Sequence, residues 1–465
     1  MNSVENCTTL IVPPNEIIVP PQALLPEDAR QEKIAEAIDT SQVPPLWLCG
    51  NKILDVAFCV DYLTRYDLRC INGNFFDIDG TISDSEVESN IYEMIKPFIS
   101  CGLVNKVKQL VGTLKMEAFA LPPEITYDRI HLANGTLYTN GNFVEEKQPC
   151  FSRLNITYDT AAAPPDVFFN YLCGLLESED IPTIQEWLGY LFIPCAKAQK
   201  MLMLIGNGGE GKSRLGILLK SFFGKGLATG SLQALETSRF ARASLENTYC
   251  FIDDDMKMEA LPQTNTLKTL VTAEDEIEIE RKNIQPYQAK VYSRIMAFGN
   301  GTLSSLYDKS DAFYRRQIIV TTKPKHPERI DDPFLTEKMI SEKSGIFLWA
   351  FEGLQRLLAN DFRFTISERA KQNLLQSMES NCNIISFFKA KDWISFVPEI
   401  FISTKDLYAH YVWWCDENCE KPMQQRTFSG YINQNLDKYQ LRIDTNGIGS
   451  SGHRSRGYRG ITTRK

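Results

Sequence analysis

The chain lacks long apolar runs, and about 18 uninterrupted apolar residues, the signature of a membrane-spanning helix, occur nowhere in it. No membrane span and no membrane partner are therefore expected. The N-terminal residues MNSVENCTTL hold no basic stretch followed by an apolar core, which a secretory leader requires. These absences predict a cytoplasmic protein.

Metal-ligating side chains are few and scattered. The four histidines lie far apart, and among the twelve cysteines only Cys415 and Cys419 form a close pair. No second pair and no nearby histidine completes the ligand set of a zinc site. Reduced thiols are the better interpretation, because disulfides are rare inside cells.

Charge is unevenly distributed in a chain of otherwise ordinary composition. The net charge is −8, with 43% hydrophobic and 23% charged residues. Segment 442–465 nevertheless carries six basic side chains against one acid, Asp444. A basic end on an acidic body is compatible with contact to nucleic-acid phosphates, and a solvated tail is the equal alternative.

What the chain does contain is a segment, Gly206–Ser213, that fits the phosphate-binding pattern G-x-x-x-x-G-K-[ST] at every fixed position. An apolar run of strand length, 201–205, precedes it, and helical spacing follows over 214–223. Such a loop turns backbone N–H groups toward phosphates at a helix N-terminus. We expect ATP, with Lys212 at its β- and γ-phosphates, and Mg²⁺ held by Ser213. The predicted nucleotide-binding residues are Gly206, Asn207, Gly208, Gly209, Glu210, Gly211, Lys212, Ser213 and Arg214.

Two other interpretations fit part of this segment. Gly206, Gly208 and Gly211 also satisfy the dinucleotide fingerprint G-x-G-x-x-G. A dinucleotide site has no use for a γ-phosphate lysine, so the pair Lys212-Ser213 argues against it. A plain glycine-rich loop is the other alternative, and the flanking strand and helix disfavour it.

Polar residues follow two further apolar strands. Acids at the end of strand 247–252 can hold Mg²⁺ and polarise water, so Asp253 is assigned to the metal and Asp254 to the water, with Asp255 an alternative for either. A solvated acidic turn competes with this reading. Asn300 ends strand 291–299, where it can orient the water or simply form an Asn-Gly turn.

Basic residues occur at two nearby positions. Arg315 and Arg316 precede strand 317–321, where an arginine can act on a neighbouring subunit's phosphate. A surface ion pair is an equal alternative. Segments 276–281 and 287–291 predict a hairpin whose tip, Lys282-Asn283, could touch a DNA strand inside a ring, or simply face solvent.

The order of these motifs resembles that of superfamily-III helicases. It is most similar to the primase-helicase family of poxviruses, phages and plasmids, which includes helicases of mobile chromosomal cassettes. The likeness covers about residues 46–465, including segment 185–190 before the phosphate loop, 268–275 before the hairpin and 458–461 near the C-terminus. The resemblance implies an α/β fold with an AAA+-like P-loop ATPase core and a parallel sheet, a homo-hexameric ring, Mg²⁺-dependent ATP hydrolysis at subunit interfaces and movement on single-stranded and duplex DNA.

Site roles also follow from the resemblance. It implies Asp253 and Asp254 as the acidic pair and Asn300 as the sensor of the γ-phosphate. It implies Arg315 or Arg316 as the finger acting in trans, and we favour Arg316 because it abuts the next strand. Family members often carry Glu in the acidic pair, so the choice among Asp253–Asp255 stays open.

Four parts are predicted along the chain. A Pro-rich flexible arm, which could bind a replication partner, spans 1–45, and an N-terminal α+β domain with substantial helix spans 46–165. A helical lead-in, the ATPase core and following helices span 166–380. A C-terminal winged-helix domain spans 381–465.

The last of these parts carries the predicted contacts to duplex DNA. Ser403-x-x-Asp406 fits a capping box, and 428–436 predicts a second helix. A basic hairpin then completes the helix, helix, wing order of a DNA-binding module. The predicted DNA-contacting residues are Lys282, Asn283, Arg426, Arg454, Arg456 and Arg459.

An ATP-dependent DNA helicase acting in the replication of a phage, plasmid or mobile element is therefore the expected function. A ring ATPase that loads or packages DNA without unwinding it is the alternative, and a DNA-binding scaffold with an inactive site is a remote one. Segment 76–81 matches the D-x-D-G-T pattern of aspartate-nucleophile phosphatases. The strand before it is too short to be buried, so a surface hairpin is expected there.

Overall fold

The computed structural model of the chain describes residues 44–257, 261, 263–273, 275–282, 284–302, 311–448 and 452–464. The chain divides into two compact units, Met1–Phe75 with Ile82–Ala120 and Phe76–Thr81 with Leu121–Lys465. Segment 121–165, which the sequence grouped with the N-terminal domain, packs with the larger unit. Most of the predicted arm, residues 1–43, lies outside the described residues, as does Asn283. Within the described ranges, no helix is both long and apolar enough to cross a membrane.

The smaller unit consists of helices packed with short strands around an apolar core that includes Phe58, Ile91 and Leu110. Asn72 and Gly73, between two of these short strands, have φ of 51° and 77°, the conformation that a two-residue hairpin loop requires. The elements up to Ala120 are β1 (Leu48–Cys49), β2 (Lys52–Ile53), α1 (Asp55–Arg65), β3 (Arg69–Ile71), β4 (Asn74–Phe76), β5 (Thr81–Ile82), α2 (Asp84–Ile95) and α3 (Leu103–Glu117).

Segment 76–81 is a hydrogen-bonded turn, as expected. Asp77 Oδ1 accepts the backbone N–H groups of Asp79 at 2.8 Å and Gly80 at 2.9 Å. A carboxylate engaged by its own turn is an Asx-type motif that ends a strand. The phosphatase-like pattern is therefore explained by local turn chemistry.

The larger unit includes a small antiparallel sheet over residues 129–144. It continues as alternating helices and strands. These elements are β6 (Arg129–Leu132), β7 (Gly135–Tyr138), β8 (Phe143–Val144), α4 (Asp166–Leu175), α5 (Ile181–Tyr190), β9 (Met201–Ile205), α6 (Lys212–Phe223), β10 (Leu227–Thr229), α7 (Leu232–Thr237), β11 (Cys250–Met256), α8 (Asn265–Thr272), β12 (Glu276–Ile279), β13 (Tyr287–Lys290), β14 (Arg294–Gly299), α9 (Asp311–Tyr314) and β15 (Gln317–Thr321).

Five of these strands form one sheet in the order β10-β11-β14-β9-β15. All neighbouring pairs are parallel, which confirms the α/β class with a parallel sheet. The chain leaves β9 for the far edge at β10 and later inserts β14 between β9 and β11. Such a crossover opens a crevice at the carboxyl ends of the strands, where α/β proteins bind ligands.

Helices cover both faces of this sheet. Leu202 and Leu204 of β9 face one core together with α4, α5 and α6. Met201, Met203 and Ile205 face a second core together with α7 and α8. A strand buried on both sides needs apolar residues at every position, which accounts for the uninterrupted run MLMLI.

Three more helices, α10 (Leu335–Ser341), α11 (Lys343–Ala359) and α12 (Glu368–Asn381), follow the sheet. Helices α5 and α11 approach each other at two glycines. A Cβ at Gly189 would lie 2.2 Å from the carbonyl oxygen of Ala350, and one at Gly353 would lie 2.5 Å from that of Gln185. The two backbones are in contact because neither glycine has a side chain.

The C-terminal part is a helix–helix–hairpin module. Ser403 Oγ accepts the N–H of Asp406 at 3.0 Å, which confirms the predicted helix start. The helix predicted over 428–436 begins earlier, at Gln425, and ends earlier, at Gln434, because Asn435, with φ −121°, interrupts it. The elements are α13 (Asn383–Lys389), β16 (Ile394–Ser395), β17 (Phe401–Ser403), α14 (Thr404–Glu417), α15 (Gln425–Gln434), α16 (Leu436–Tyr439), β18 (Arg442–Ile448), β19 (Arg454–Arg459) and β20 (Thr462–Thr463).

His131 in β6 gives the fold a pH dependence. Burial of the imidazole, together with the charges of Arg153 and Arg129, lowers its pKa from 6.5 to about 4. Between these values the unfolded chain binds a proton that the folded chain does not, so stability rises with pH across that window. The free energy of unfolding should therefore fall by about 3 kcal/mol between pH 7 and pH 4 through this group alone.

The substitution His131→Gln removes the titrating group, so the stability of the variant should depend less steeply on pH over this window. Urea unfolding of both proteins at several pH values between 4 and 7 measures the difference. Parallel stability curves for the two proteins would contradict the prediction.

Candidate functional site

The segment Gly206–Ser213 connects the end of β9 to the start of α6, as the sequence predicted. Gly208, Gly209 and Gly211 have φ of 103°, 80° and 108°, a left-handed conformation that residues with a Cβ avoid. Gly206 is required for space, since a Cβ there would lie 2.9 Å from Lys212 Nζ. The loop can therefore wrap closely around the N-terminus of α6.

Lys212 and Glu210 form an ion pair inside this loop. Lys212 Nζ lies 2.9 Å from Glu210 Oε2, and the side chains are 9% and 2% exposed. The same carboxylate accepts the backbone N–H groups of Asn207 at 2.5 Å and Gly208 at 3.0 Å. Burial opposes the charge of Glu210, but the bonds from Lys212 and the loop outweigh it, and the pKa of Glu210 is lowered. Lys212 and the loop N–H groups, which were predicted to bind phosphate oxygens, therefore bind the carboxylate of Glu210.

Two side chains that the sequence did not single out donate hydrogen bonds to backbone carbonyls of the loop. Tyr171 of α4 donates its hydroxyl to the carbonyl of Gly211 at 3.0 Å. Arg329, beyond β15, donates to the carbonyls of Glu210 at 2.8 Å and Gly209 at 2.9 Å. These bonds fix the carbonyls on one side of the loop. Both residues come from distant segments, so no local pattern could have revealed them.

The three consecutive acids of β11 do not all face the same cavity. Asp254 and Asp255 line a cavity of about 400 Å³ beside the loop. Asp253 is buried, and its Oδ2 accepts the N–H of Leu232 at the start of α7 at 2.8 Å. Burial raises the pKa of Asp253. The structure therefore does not bring Asp253, the residue assigned to Mg²⁺, to the cavity.

A β-bulge explains this arrangement. The pairing of β11 with β14 shifts register between Asp253 and Met256. A regular strand sends successive side chains to opposite faces, whereas a bulge redirects them. Asp254 and Asp255 can therefore both reach the cavity.

Asn300 follows β14 and lines the same cavity as Lys212 and Ser213. Because β14 lies between β9 and β11, the polar ends of three neighbouring strands converge there. Hydroxyl and carboxylate oxygens suit Mg²⁺, which proteins usually bind through one or two carboxylates together with substrate phosphates. Across the described residues, no group of three His, Cys, Asp or Glu side chains could hold a metal. A metal at this cavity would therefore rely on additional ligands such as phosphate oxygens.

A second cavity of about 370 Å³ adjoins the first, and Glu210, Gly211 and Arg329 line both. The surface of this second cavity is more apolar than that of the first, and it includes the side-chain amide of Asn170. The residues that distinguish it include Val167, Asn170, Tyr171, Ile330 and Leu335. The two cavities together can take a ligand with an anionic end at the loop and a less polar end beside α4.

Arg315 and Arg316 lie at the amino-terminal ends of the parallel strands, opposite the carboxyl ends where the phosphate loop lies. They precede β15, whose first residue, Gln317, pairs with Met201 at the start of β9. The phosphate loop follows the other end of β9, roughly 17 Å away along the strand. Arg315 is exposed, whereas Arg316 is half-buried and donates to the carbonyl of Ala312. Neither guanidinium can reach the phosphate loop of its own chain.

The predicted hairpin is confirmed as the antiparallel pair β12 and β13. Lys282 is exposed near its tip. The neighbouring Arg281 is held by Glu246, whose Oε2 lies 2.6 Å from its Nη2 and accepts the Tyr287 hydroxyl at 2.5 Å. Lys282 therefore faces solvent, whereas Arg281 stabilises the hairpin through its ion pair with Glu246.

The predicted DNA-contacting arginines of the C-terminal module differ in their surroundings. Arg426 is exposed near the start of α15, and Arg454 and Arg456 are exposed on β19. Arg459 is half-buried, with its Nε 2.7 Å from Asp444 Oδ2 on β18. Arg459 therefore joins two strands, whereas the other three guanidinium groups face solvent.

Known proteins resemble the chain mainly in fold. A family of unknown function, DUF5906, matches residues 204–316, less than half of the chain. No curated protein matches it. A structure of the C-terminal region of NrS-1 in its A-form apo state has a TM-score of 0.50 at 12% identity, covering 87% of this chain and 98% of that one.

Two further apo structures of that region have TM-scores of 0.47 and 0.48 at 13% and 12% identity. They cover 86% and 88% of this chain, and 88% and 99% of the other chains. The structure with the TM-score of 0.50 shows that the chain has the overall fold of the C-terminal region of NrS-1 over most of its length.

Proposed function

We propose that the chain is an ATP-hydrolysing DNA helicase that acts in the replication of a phage, plasmid or other mobile element. The observation that carries the proposal is the convergence of Lys212, Ser213, Asp254, Asp255 and Asn300 on one cavity at the carboxyl edge of a parallel sheet. Phosphoryl transfer depends on positioning and on charge stabilisation, and these side chains are the types that supply both. The DNA part of the proposal comes from the order of motifs along the sequence.

In the proposed reaction Lys212 and the loop N–H groups bind the β- and γ-phosphates of ATP. Ser213 and one carboxylate of Asp254 and Asp255 hold Mg²⁺, and the other carboxylate orients the attacking water with Asn300. The metal, when bound, neutralises negative charge on the phosphates. The second cavity beside α4 has room for the ribose and base, so the position of Asn170 suits recognition of adenine.

The distance of Arg315 and Arg316 from their own loop supports hydrolysis between subunits. An arginine finger from a neighbouring copy would complete the site, so activity would depend on a closed ring, for which we propose a homo-hexamer. Arg315 is the better candidate for the finger, because Arg316 already binds the carbonyl of Ala312. This reverses the preference drawn from the sequence.

Two exposed basic surfaces suit the proposed contacts with DNA. Lys282 at the tip of the β12–β13 hairpin could grip a strand backbone without reading its sequence. The exposed Arg454 and Arg456 on β19, with Arg426 on α15, suit a winged-helix contact with duplex phosphates. Arg459 is better explained by its ion pair with Asp444.

Substitution of the three acids tests the proposed site. Asp254→Asn and Asp255→Asn should each lower the rate of ATP hydrolysis by about 10²-fold or more, because each removes a charge beside the phosphates. Asp253→Asn should leave turnover nearly unchanged, because this carboxylate accepts the first N–H of α7 and the amide oxygen of asparagine can accept it too. Steady-state turnover of the three variants, checked as folded by thermal unfolding, measures both effects. A larger loss of turnover in Asp253→Asn than in the other two would contradict this assignment.

DNA assays separate the proposed helicase from its alternatives. We expect ATP turnover to rise with single-stranded DNA, and a labelled strand to be displaced from a forked duplex. Stimulated turnover without displacement would favour a loader or packaging motor. Absence of turnover in assembled protein with DNA and Mg²⁺ would favour the scaffold and reject the proposal.

A further inference from the structure

The Glu210 side chain places a carboxylate inside the phosphate loop. The carboxylate of Glu210 is bonded to Lys212 Nζ and to the N–H groups of Asn207 and Gly208. Backbone N–H groups and the lysine of this loop are the donors that polyphosphate oxygens use. With the Glu210 side chain only 2% exposed, a polyphosphate cannot bind these donors until the carboxylate has moved.

The loop frame does not depend on this carboxylate. The backbone carbonyls of Gly209 and Glu210 are held by Arg329, and that of Gly211 by Tyr171. These contacts involve main-chain carbonyls of the loop and not the Glu210 side chain. The Glu210 side chain can therefore rotate away while the loop keeps its conformation.

Space for the displaced side chain is also present. Glu210 lines both the cavity at the loop and the adjoining cavity beside α4. Arg214 lines both cavities and could meet the carboxylate there, whereas Lys338 is already paired with Asp332, with its Nζ 2.6 Å from Asp332 Oδ2. Rotation of the Glu210 side chain would thus let a phosphate replace the carboxylate at the loop donors.

We propose that Glu210 is a built-in competitor for phosphate, and that its displacement sets a threshold that an anion must exceed to occupy the loop. Displacement replaces three charge-assisted bonds, so a ligand must supply enough anionic oxygens to compensate. A triphosphate, which supplies more of them, exceeds this threshold more readily than a diphosphate. The inference rests on the proposed function for its ligand class, and it names the residue that sets the phosphate affinity of that same site.

The test compares binding of inorganic triphosphate, inorganic pyrophosphate, Mg·ATP and Mg·ADP to the wild type and to Glu210→Ala by calorimetry. The variant should bind inorganic triphosphate about tenfold tighter, since the competing carboxylate is gone. Binding of inorganic pyrophosphate should tighten by a similar factor, because both ligands displace the same carboxylate. Glu210→Gln, which keeps the shape but not the charge, should bind with intermediate affinity.

Glu236 provides the matched control. It is also buried, and it accepts two backbone N–H groups, from Thr266 at 3.1 Å and Leu267 at 2.8 Å, but it does not line the cavity. Glu236→Ala should lower stability without tightening binding of inorganic triphosphate. Its effect shows what the loss of a buried carboxylate does by itself.

The outcomes also separate this inference from the proposed function. Equal or weaker triphosphate binding by both Glu210 variants would overturn the inference, even if the wild type hydrolyses ATP. Tighter binding of inorganic triphosphate by the variants, in a protein that does not bind ATP, would support the internal competitor and reject the proposed function. If the alanine variant does not fold, the glutamine variant decides.

Discussion

Replacing Lys212 with alanine should abolish ATP turnover, with a loss of about 10³-fold or more. The ammonium group is bonded to Glu210 within the loop, and it lines the same cavity as Asp254 and Asp255. Its removal takes away the charge that would stabilise the transferred phosphate. Measurement of steady-state ATP hydrolysis, with and without single-stranded DNA, gives the effect.

The same substitution leaves the buried carboxylate of Glu210 without its ion-pair partner, so stability should fall as well. Thermal unfolding must therefore accompany the activity assay. The double variant Lys212→Ala/Glu210→Ala removes both charges and should recover part of the lost stability without recovering turnover. Lys220→Ala, on the exposed face near the end of the same helix, should leave turnover intact. Turnover by a folded Lys212→Ala protein close to that of the wild type would reject the proposed site.

Gly189→Ala should be the most destabilising single methyl addition in the α5–α11 contact. The new Cβ would lie 2.2 Å from the carbonyl oxygen of Ala350 and 2.7 Å from the backbone nitrogen of Leu354. Both obstacles are main-chain atoms, so relief requires the two helices to separate. We expect a loss of at least about 3 kcal/mol in the free energy of unfolding, measured by urea denaturation.

Gly430 is the control for this substitution. It lies inside α15 of the same compact unit, and a Cβ there would meet nothing within 4 Å. Gly430→Ala should stabilise the protein by about 0.5–1 kcal/mol, because alanine favours a helix. Equal effects of the two substitutions would show that the helix approach at Gly189 is not rigid.

The phosphate loop illustrates how much local sequence could predict. Its strand, turn and helix follow from residues adjacent in the chain, and one of its three left-handed glycines, Gly211, is a fixed position of the pattern. Local signals also located the β12–β13 hairpin and the N-cap at Ser403, which the structure confirms. These features depend on hydrogen bonds and periodicities that span only a few residues.

The acids illustrate where prediction from sequence stopped. Asp253, Asp254 and Asp255 are chemically identical in the sequence, and strand alternation alone would put the first and third on one face. The bulge against β14 separates Asp253 from the other two. A register shift depends on the partner strand, which the chain reaches only about 40 residues later.

The sequence by itself determined the phosphate loop, the strands that flank it and the types of polar side chain at their ends, because each rests on contacts between neighbouring residues. Only the tertiary structure decided which acids reach the cavity, that Tyr171 and Arg329 hold the loop, and that Glu210 takes the place expected for phosphate. Those arrangements depend on segments brought together by strand order and helix packing, and on which donors a buried carboxylate finds within reach.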